Sequence, residues 1–148
     1  MSQILHLAAA ADIDRLLPMI AACHAEAGLG SDEATRRAGV EPLLGGSPHG
    51  AVWFIGPKMA PVGYIAVSFG WSIELGGMNG NISEFWIREK VRRRGMGSEA
   101  LAALLKALRG ADLKALHLEV AEGNARATGI CERAGFRRRR SALMTWAA

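Results

Sequence analysis

A chain of 148 residues, half of them hydrophobic and 22% charged, has the composition of one globular domain over residues 1–148 and lies outside the disordered class. Its net charge of +4 favours an anionic partner, and its two cysteines, Cys23 and Cys131, cannot staple a domain of this size. No CxxC or His/Cys spacing suits zinc, no apolar run nears the roughly 18 residues of a membrane span, and Asp12, Asp14 and Arg15 break the only early apolar stretch. The expectation is therefore a cytoplasmic protein with no metal, no leader and no membrane partner.

Residues 4–7 are short and apolar, a first strand. Residues 12–26 then read as a helix, because Ile13, Leu16, Leu17, Ile20 and Ala21 recur at helical spacing and Gly28 can end it. Ser31 is placed as the N-cap of a second helix reaching about Leu44, where Gly45, Gly46 and Pro48 break it. Residues 51–55 and 62–69 form a hairpin. The glycine-rich stretch 75–81 is read as a mobile loop able to close over a substrate, and 82–88 as a strand.

The clearest helix follows a charged loop. Met96, Ala100, Leu101, Leu104, Leu105 and Leu108 make one apolar stripe, closed by Gly110. Residues 115–120 are a strand, and 124–134 a helix with Asn124 at its N-cap and Gly135 past its end. The tail through Met144 and Trp146 is expected to add a last strand. The segment 82–120 is a βαβ unit, so its two strands should run parallel.

The loop Arg92-Arg93-Arg94-Gly95-Met96-Gly97 joins that strand to that helix. A helix N-terminus offers unpaired N–H groups and the positive end of the macrodipole. Glycines let an anion approach the backbone, and arginines add charge, so the loop reads as a phosphate cradle. The P-loop pattern is absent. Gly95-Met96-Gly97-Ser98-Glu99-Ala100 matches a dinucleotide fingerprint, with Glu119 further on. Too few residues follow to complete that fold, and the loop before Gly95 is long for it.

The run from Glu84 through Phe85, Trp86, Ile87 and Arg92 to Gly97 resembles the coenzyme A segment of the GNAT superfamily, the acyl-CoA-dependent N-acetyltransferases. Val120, Asn124, Ala127 and Gly135-Phe136 match that family's next strand and helix, so the resemblance covers residues 82–136, with Val62-Gly63-Tyr64 as upstream support. It implies an α/β (α+β) fold: a central mixed, mostly antiparallel sheet with one splayed parallel strand pair, flanked by about four helices. It also implies acetyl-CoA as cosubstrate, with backbone around Trp86 and Ile87 on the pantetheine arm. Backbone N–H groups of Arg92, Arg93, Arg94, Gly95, Met96, Gly97 and Ser98 would hold the pyrophosphate, and Asn124 would touch the pantetheine or line the acyl site.

Two departures stand out. Arg93 replaces a glycine common in the family. Cys131 stands where the family often has the tyrosine credited with protonating the departing thiolate. Cys131 shares a helix face with Asn124, and a thiol can donate a proton; a small core residue is the other reading.

An attacking amine must be neutral, which calls for a base or a water chain. Glu84 shares a strand face with Trp86 and is the first candidate for base or substrate anchor, with Glu119 second. Trp71 and Glu74, together with Glu26, Asp32 and Glu33, are candidates for an acceptor cleft suited to a cationic amine. The acceptor stays open among small amines, polyamines, amino acids, aminoglycosides and protein amines. A homodimer is expected only by analogy. The rivals to direct acetyl transfer are a catalytically silent acyl-CoA sensor and a polyanion binder using Arg92 to Arg94 and Arg137 to Arg140. No nucleic-acid motif supports the last.

Overall fold

The computed structural model describes residues 3–148; Met1 and Ser2 of the expected domain lie outside them. In chain order the elements are β1 (Leu5–Leu7), α1 (Ile13–Glu26), α2 (Glu33–Leu44), β2 (Gly50–Ile55), β3 (Gly63–Ser72), β4 (Gly77–Ile87), α3 (Met96–Gly110), β5 (Ala115–Leu118) and α4 (Ala125–Arg133). The strands form one sheet in the order β1-β2-β3-β4-β5. Neighbours are antiparallel except β4 and β5, which run parallel as the βαβ reading requires.

The sheet separates two apolar layers. On one face Leu16, Leu17 and Ile20 of α1 and Val40 and Leu44 of α2 pack on Val52, Phe54 and Tyr64. On the other, Leu101, Leu104 and Leu108 of α3 pack on Ile55, Ile65, Val67 and Ile82. Leu101 and Leu104 lose all solvent contact, each contributing about 1.5–3 kcal/mol of burial. The stripe read from the sequence is therefore what seats α3 on the sheet, from β2 to β4.

Three expectations are corrected. The glycine-rich stretch 75–81 is not all loop: Leu75 and Gly76 are in a turn, and from Gly77 it is the first half of β4, paired with Ser72 to Ser68 of β3 and, from Asn79, with Ala115 to His117 of β5. A Cβ on Gly80 would lie 3.1 Å from Leu116 Cδ1 and 3.2 Å from Val67 Cγ1. The glycine relieves crowding between neighbouring strands here, where the sequence reading took it for a chain breaker.

The cap of α2 is Asp32, whose side chain accepts from the Thr35 N–H at 2.7 Å, and Ser31 is released for another role. That N–H holds the Asp32 carboxyl below its usual range. The tail is not a strand either: residues 137–148 have no strand pairing, and Leu143, Met144 and Trp146 lie exposed. A strand exists only through a partner, and no backbone bond among the described residues joins the tail to β5.

Candidate active site

The site begins with a bulge. β3 and β4 pair Ala66 with Glu84 and Val67 with Ile82, so Ser83 is an extra residue on β4. The insertion shifts the alternation. Ile82, Phe85 and Ile87 face α3 and α4, while Trp86 packs with the α1 layer and Glu84 bonds to α1.

The bulge also ends the parallel pairing. Its last partners are Ile82 and Leu118, and beyond them the two strands part around a cleft of about 780 Å³. Residues 82–85 and Ile87 form one wall, residues 118–121 the other, and α3 and α4 close the ends.

At one end of the cleft α3 begins. Gly95, its N-cap, has φ +80°, a left-handed turn that glycine adopts without strain. The first helical bond runs from Glu99 N–H to Gly95 O, and among the described residues no backbone acceptor takes the N–H of Met96, Gly97 or Ser98. These groups border the cleft together with Arg92 and Arg93, giving an anion site of backbone donors and helix dipole. Arg93 has φ +66°, which accounts for the glycine this position often carries in the resembled family.

Not every arginine of the run faces this cradle. Arg92 donates through Nε to Ile87 O at 2.6 Å and through Nη2 to both Glu26 oxygens at 2.7 and 3.0 Å. Glu26 Oε2 also accepts from Trp86 Nε1 at 2.9 Å. The Arg92 side chain thus fastens the loop to the end of α1. Arg94 and the Trp86 side chain are not among the residues lining the cleft.

The opposite end is formed by α4. Asn124 Oδ1 accepts from the Ala127 N–H at 3.1 Å and caps the helix, and Asn124 and Cys131 both line the cleft. Burial pushes the Cys131 thiol up, so it is held protonated at neutral pH. Glu119 lines the β5 wall. Trp71 and Glu74 lie at the far β3–β4 turn; Trp71 is 74% exposed, and neither residue borders the cleft.

Glu84 is held from both sides. Tyr64 donates its hydroxyl to Oε1 at 2.6 Å, and His24 Nε2 lies 2.8 Å from Oε2. His24 Nδ1 is 2.6 Å from Ser31 Oγ. With the imidazole proton on Nε2, each donor meets an acceptor: Ser31 to His24, His24 to Glu84, Tyr64 to Glu84. Burial, then the contacts with Cys23 and Glu84, push the Tyr64 phenol far up, which keeps it a donor. Burial likewise raises the Cys23 thiol.

The sequence reading missed His24, Ser31 and Tyr64 as partners of Glu84. His24 offered a faint signal, a polar ring one helical turn beyond Ile20 on the apolar face of α1.

A second pocket of about 290 Å³ lies between α1, α2 and the sheet, and it shares Ser83 and Glu84 with the cleft. Glu26, Asp32 and Glu33 are not among its lining residues. Glu84 is therefore the carboxylate that borders both spaces.

Comparison with known proteins agrees with this architecture. The Acetyltransferase (GNAT) family model matches residues 18–136. Among curated proteins, none matches the chain. Integron cassette protein HFX_CASS3, from the mobile metagenome of Cole Harbour Salt Marsh, is 27% identical over 97% of this chain and 89% of its own, with a TM-score of 0.84. A putative acetyltransferase from Arthrobacter sp. FB24 has a TM-score of 0.80 at 21% identity, covering 99% of this chain and 95% of its own. Aminoglycoside antibiotic 6'-N-acetyltransferase AAC(6')-IG from Acinetobacter haemolyticus has a TM-score of 0.76 at 11% identity, covering 99% of each chain. With the family match spanning α1 to the end of α4, the chain belongs to the GNAT acetyltransferase family.

Proposed function

We propose that the protein is an N-acetyltransferase that moves an acetyl group from acetyl-CoA directly to a primary amine. The observation that carries this reading is the cleft between β4 and β5, which runs from the unpaired N–H groups of α3 to Glu84. Its residues fit the cosubstrate. A helix N-terminus with Arg93 beside it suits a pyrophosphate, and parted strands leave backbone groups for an extended arm.

Acetyl-CoA supplies an activated thioester when bound. The N–H groups of Met96, Gly97 and Ser98 hold the pyrophosphate and set the reach of the arm. Glu84 takes the proton that the amine loses as its nitrogen bonds to the acyl carbon. The carboxylate has lone pairs to spare beyond its bonds to Tyr64 and His24, so it can act directly or through one water. Cys131 returns a proton to the sulfur as the carbon–sulfur bond breaks; its place on the cleft wall and its raised thiol support this role. Holding both substrates in one cleft removes much of the entropic barrier.

Thermal unfolding with acetyl-CoA, NAD and salt-matched DNA tests the cosubstrate. A rise that saturates with acetyl-CoA alone supports the reading; a rise with NAD or DNA alone ends it. A screen of amines for thiol release then separates a transferase from a silent acyl-CoA sensor, which would be stabilised without turnover.

A further inference from the structure

The pocket behind Glu84 carries groups of opposite charge. Glu84 lines it with its partner His24, and Arg36 of α2 lines it as well. Arg36 donates through Nη1 to the Ser31 carbonyl and to Ser31 Oγ, the latter at 3.2 Å. Among the described residues no carboxylate pairs with Arg36, whereas its neighbour Arg37 is paired with Asp14 and Glu41. Apolar side chains line it too: Ile20, Val40 and Val52 are each almost fully buried.

At about 290 Å³ the pocket is at the small end of ligand sites and admits one small molecule. Resting on the acetyltransferase reading above, we infer that the acceptor is a small amino acid with an apolar side chain. Its amino group meets Glu84, its carboxylate pairs with Arg36, and its side chain lies along the apolar wall. A guanidinium is the natural partner of a carboxylate, which it can bind with two parallel hydrogen bonds. The same group disfavours polyamines and aminoglycosides, whose additional cations would approach Arg36 with like charge. Two carboxylates that would have suited them are engaged elsewhere: Glu26 is tied to Arg92 and Trp86, and Asp32 is turned to cap α2.

The reaction leaves the carboxylate untouched. The amine nitrogen forms its bond to the acyl carbon, the carbon–sulfur bond breaks, the amine proton passes to Glu84, and the thiolate takes up a proton. Product is the N-acetyl amino acid and free coenzyme A.

The test is thiol release from acetyl-CoA with matched acceptors: leucine, methionine and phenylalanine against isopentylamine, 3-(methylthio)propylamine and phenethylamine, with spermidine added. The amino acids are expected to exceed their decarboxylated partners at least about tenfold in kcat/KM, the effect of one charged hydrogen bond. Arg36→Gln should raise KM for the amino acids several-fold more than for the decarboxylated amines. Arg36→Lys should recover part of the loss. If spermidine or the decarboxylated amines turn over as well as the amino acids, or if no amino acid turns over on protein that acetyl-CoA stabilises, the inference is overturned. Absence of any stabilisation by acetyl-CoA instead overturns the acetyltransferase reading beneath it. Because the acceptor panel is run on the native chain, the result does not depend on how the variants fold.

Discussion

On the α3 and α4 side of β4, the cleft draws most of its lining from two nearly continuous stretches, residues 82–98 and 118–133. On the α1 and α2 side, the pocket gathers His24, Ser31, Arg36, Tyr64 and Glu84 from four separate elements and a connecting loop. The first surface offers mainly backbone, in the form of unpaired N–H groups at a helix start and strand edges that have parted. The second offers side chains, each oriented by another. A backbone site tolerates many side chains but few changes of shape. A side-chain site tolerates changes of shape at its edges but few changes of chemistry. The same fold can therefore keep one donor and take many acceptors.

The largest expected effect tests the backbone half of this contrast. A Cβ at Gly97 would lie 3.8 Å from Ile87 Cδ1 and 3.9 Å from Phe85 Cζ, ordinary contact. Gly97→Ala should therefore bind acetyl-CoA, and Gly97→Trp should fill the cleft and lose it. Loss of the acetyl-CoA-dependent rise in melting temperature, with the unliganded transition little changed, is the expected readout. Full retention of binding by the Trp variant would move the cosubstrate elsewhere.

The side-chain half is broken at Glu84. Glu84→Gln keeps the shape and the bond from Tyr64 but removes the proposed base. The turnover number should fall by about 10²–10⁴, with acetyl-CoA affinity held. Isothermal titration beside steady-state kinetics checks both. An equal loss of affinity would mean that Glu84 shapes the cofactor cleft instead.

A smaller effect belongs to Cys131. Its thiol is raised by burial, which keeps it protonated at neutral pH. The raised value also sets the sign of its effect on folding. Its contribution is complete below the unfolded thiol's pKa and is lost as pH rises through the folded one. Cys131→Ser should slow transfer at neutral pH by less than the ~10² typical of a general acid, because water can protonate the thiolate in its place, and the gap should close at alkaline pH as the native thiol ionises. Matching pH–rate profiles would assign Cys131 to packing.

The smallest effect is at Arg93. Its φ of +66° strains a side-chain-bearing residue by about 1–2 kcal/mol, part of which glycine returns to unfolded-chain entropy. Arg93→Gly should gain about 0.5 kcal/mol in urea unfolding while weakening acetyl-CoA binding a few-fold through the lost charge. Equal affinity would show that the backbone alone carries the phosphates.

Legibility in the sequence follows the same division. The stripe from Met96 to Leu108, the cap at Asn124 and the glycines of the 92–97 loop are local patterns, each with its physical cause within a few residues. Helix α3, helix α4 and the left-handed turn that opens α3 are therefore legible in the amino-acid sequence alone. Glu84 stands out because alternation along β4 pairs it with Trp86. The glycines at 77 and 80 mislead, because a glycine that relieves crowding between strands looks, in sequence, like one that breaks a chain. Ser31 misleads in a related way: two candidate caps stand side by side, and only the fold decides that Asp32 caps while Ser31 turns to His24.

By itself the sequence determined the order of most elements, the parallel βαβ unit and the glycine-rich start of α3, because hydrophobic period, caps and glycine chemistry act over short range. Tertiary structure decided the bulge at Ser83, the parting of β4 from β5, the tie from Glu26 to Arg92 and Trp86, and the set of groups around Glu84. Those depend on which residues the sheet and its two helical layers bring within about 3 Å of one another, and separation along the chain carries no record of that distance.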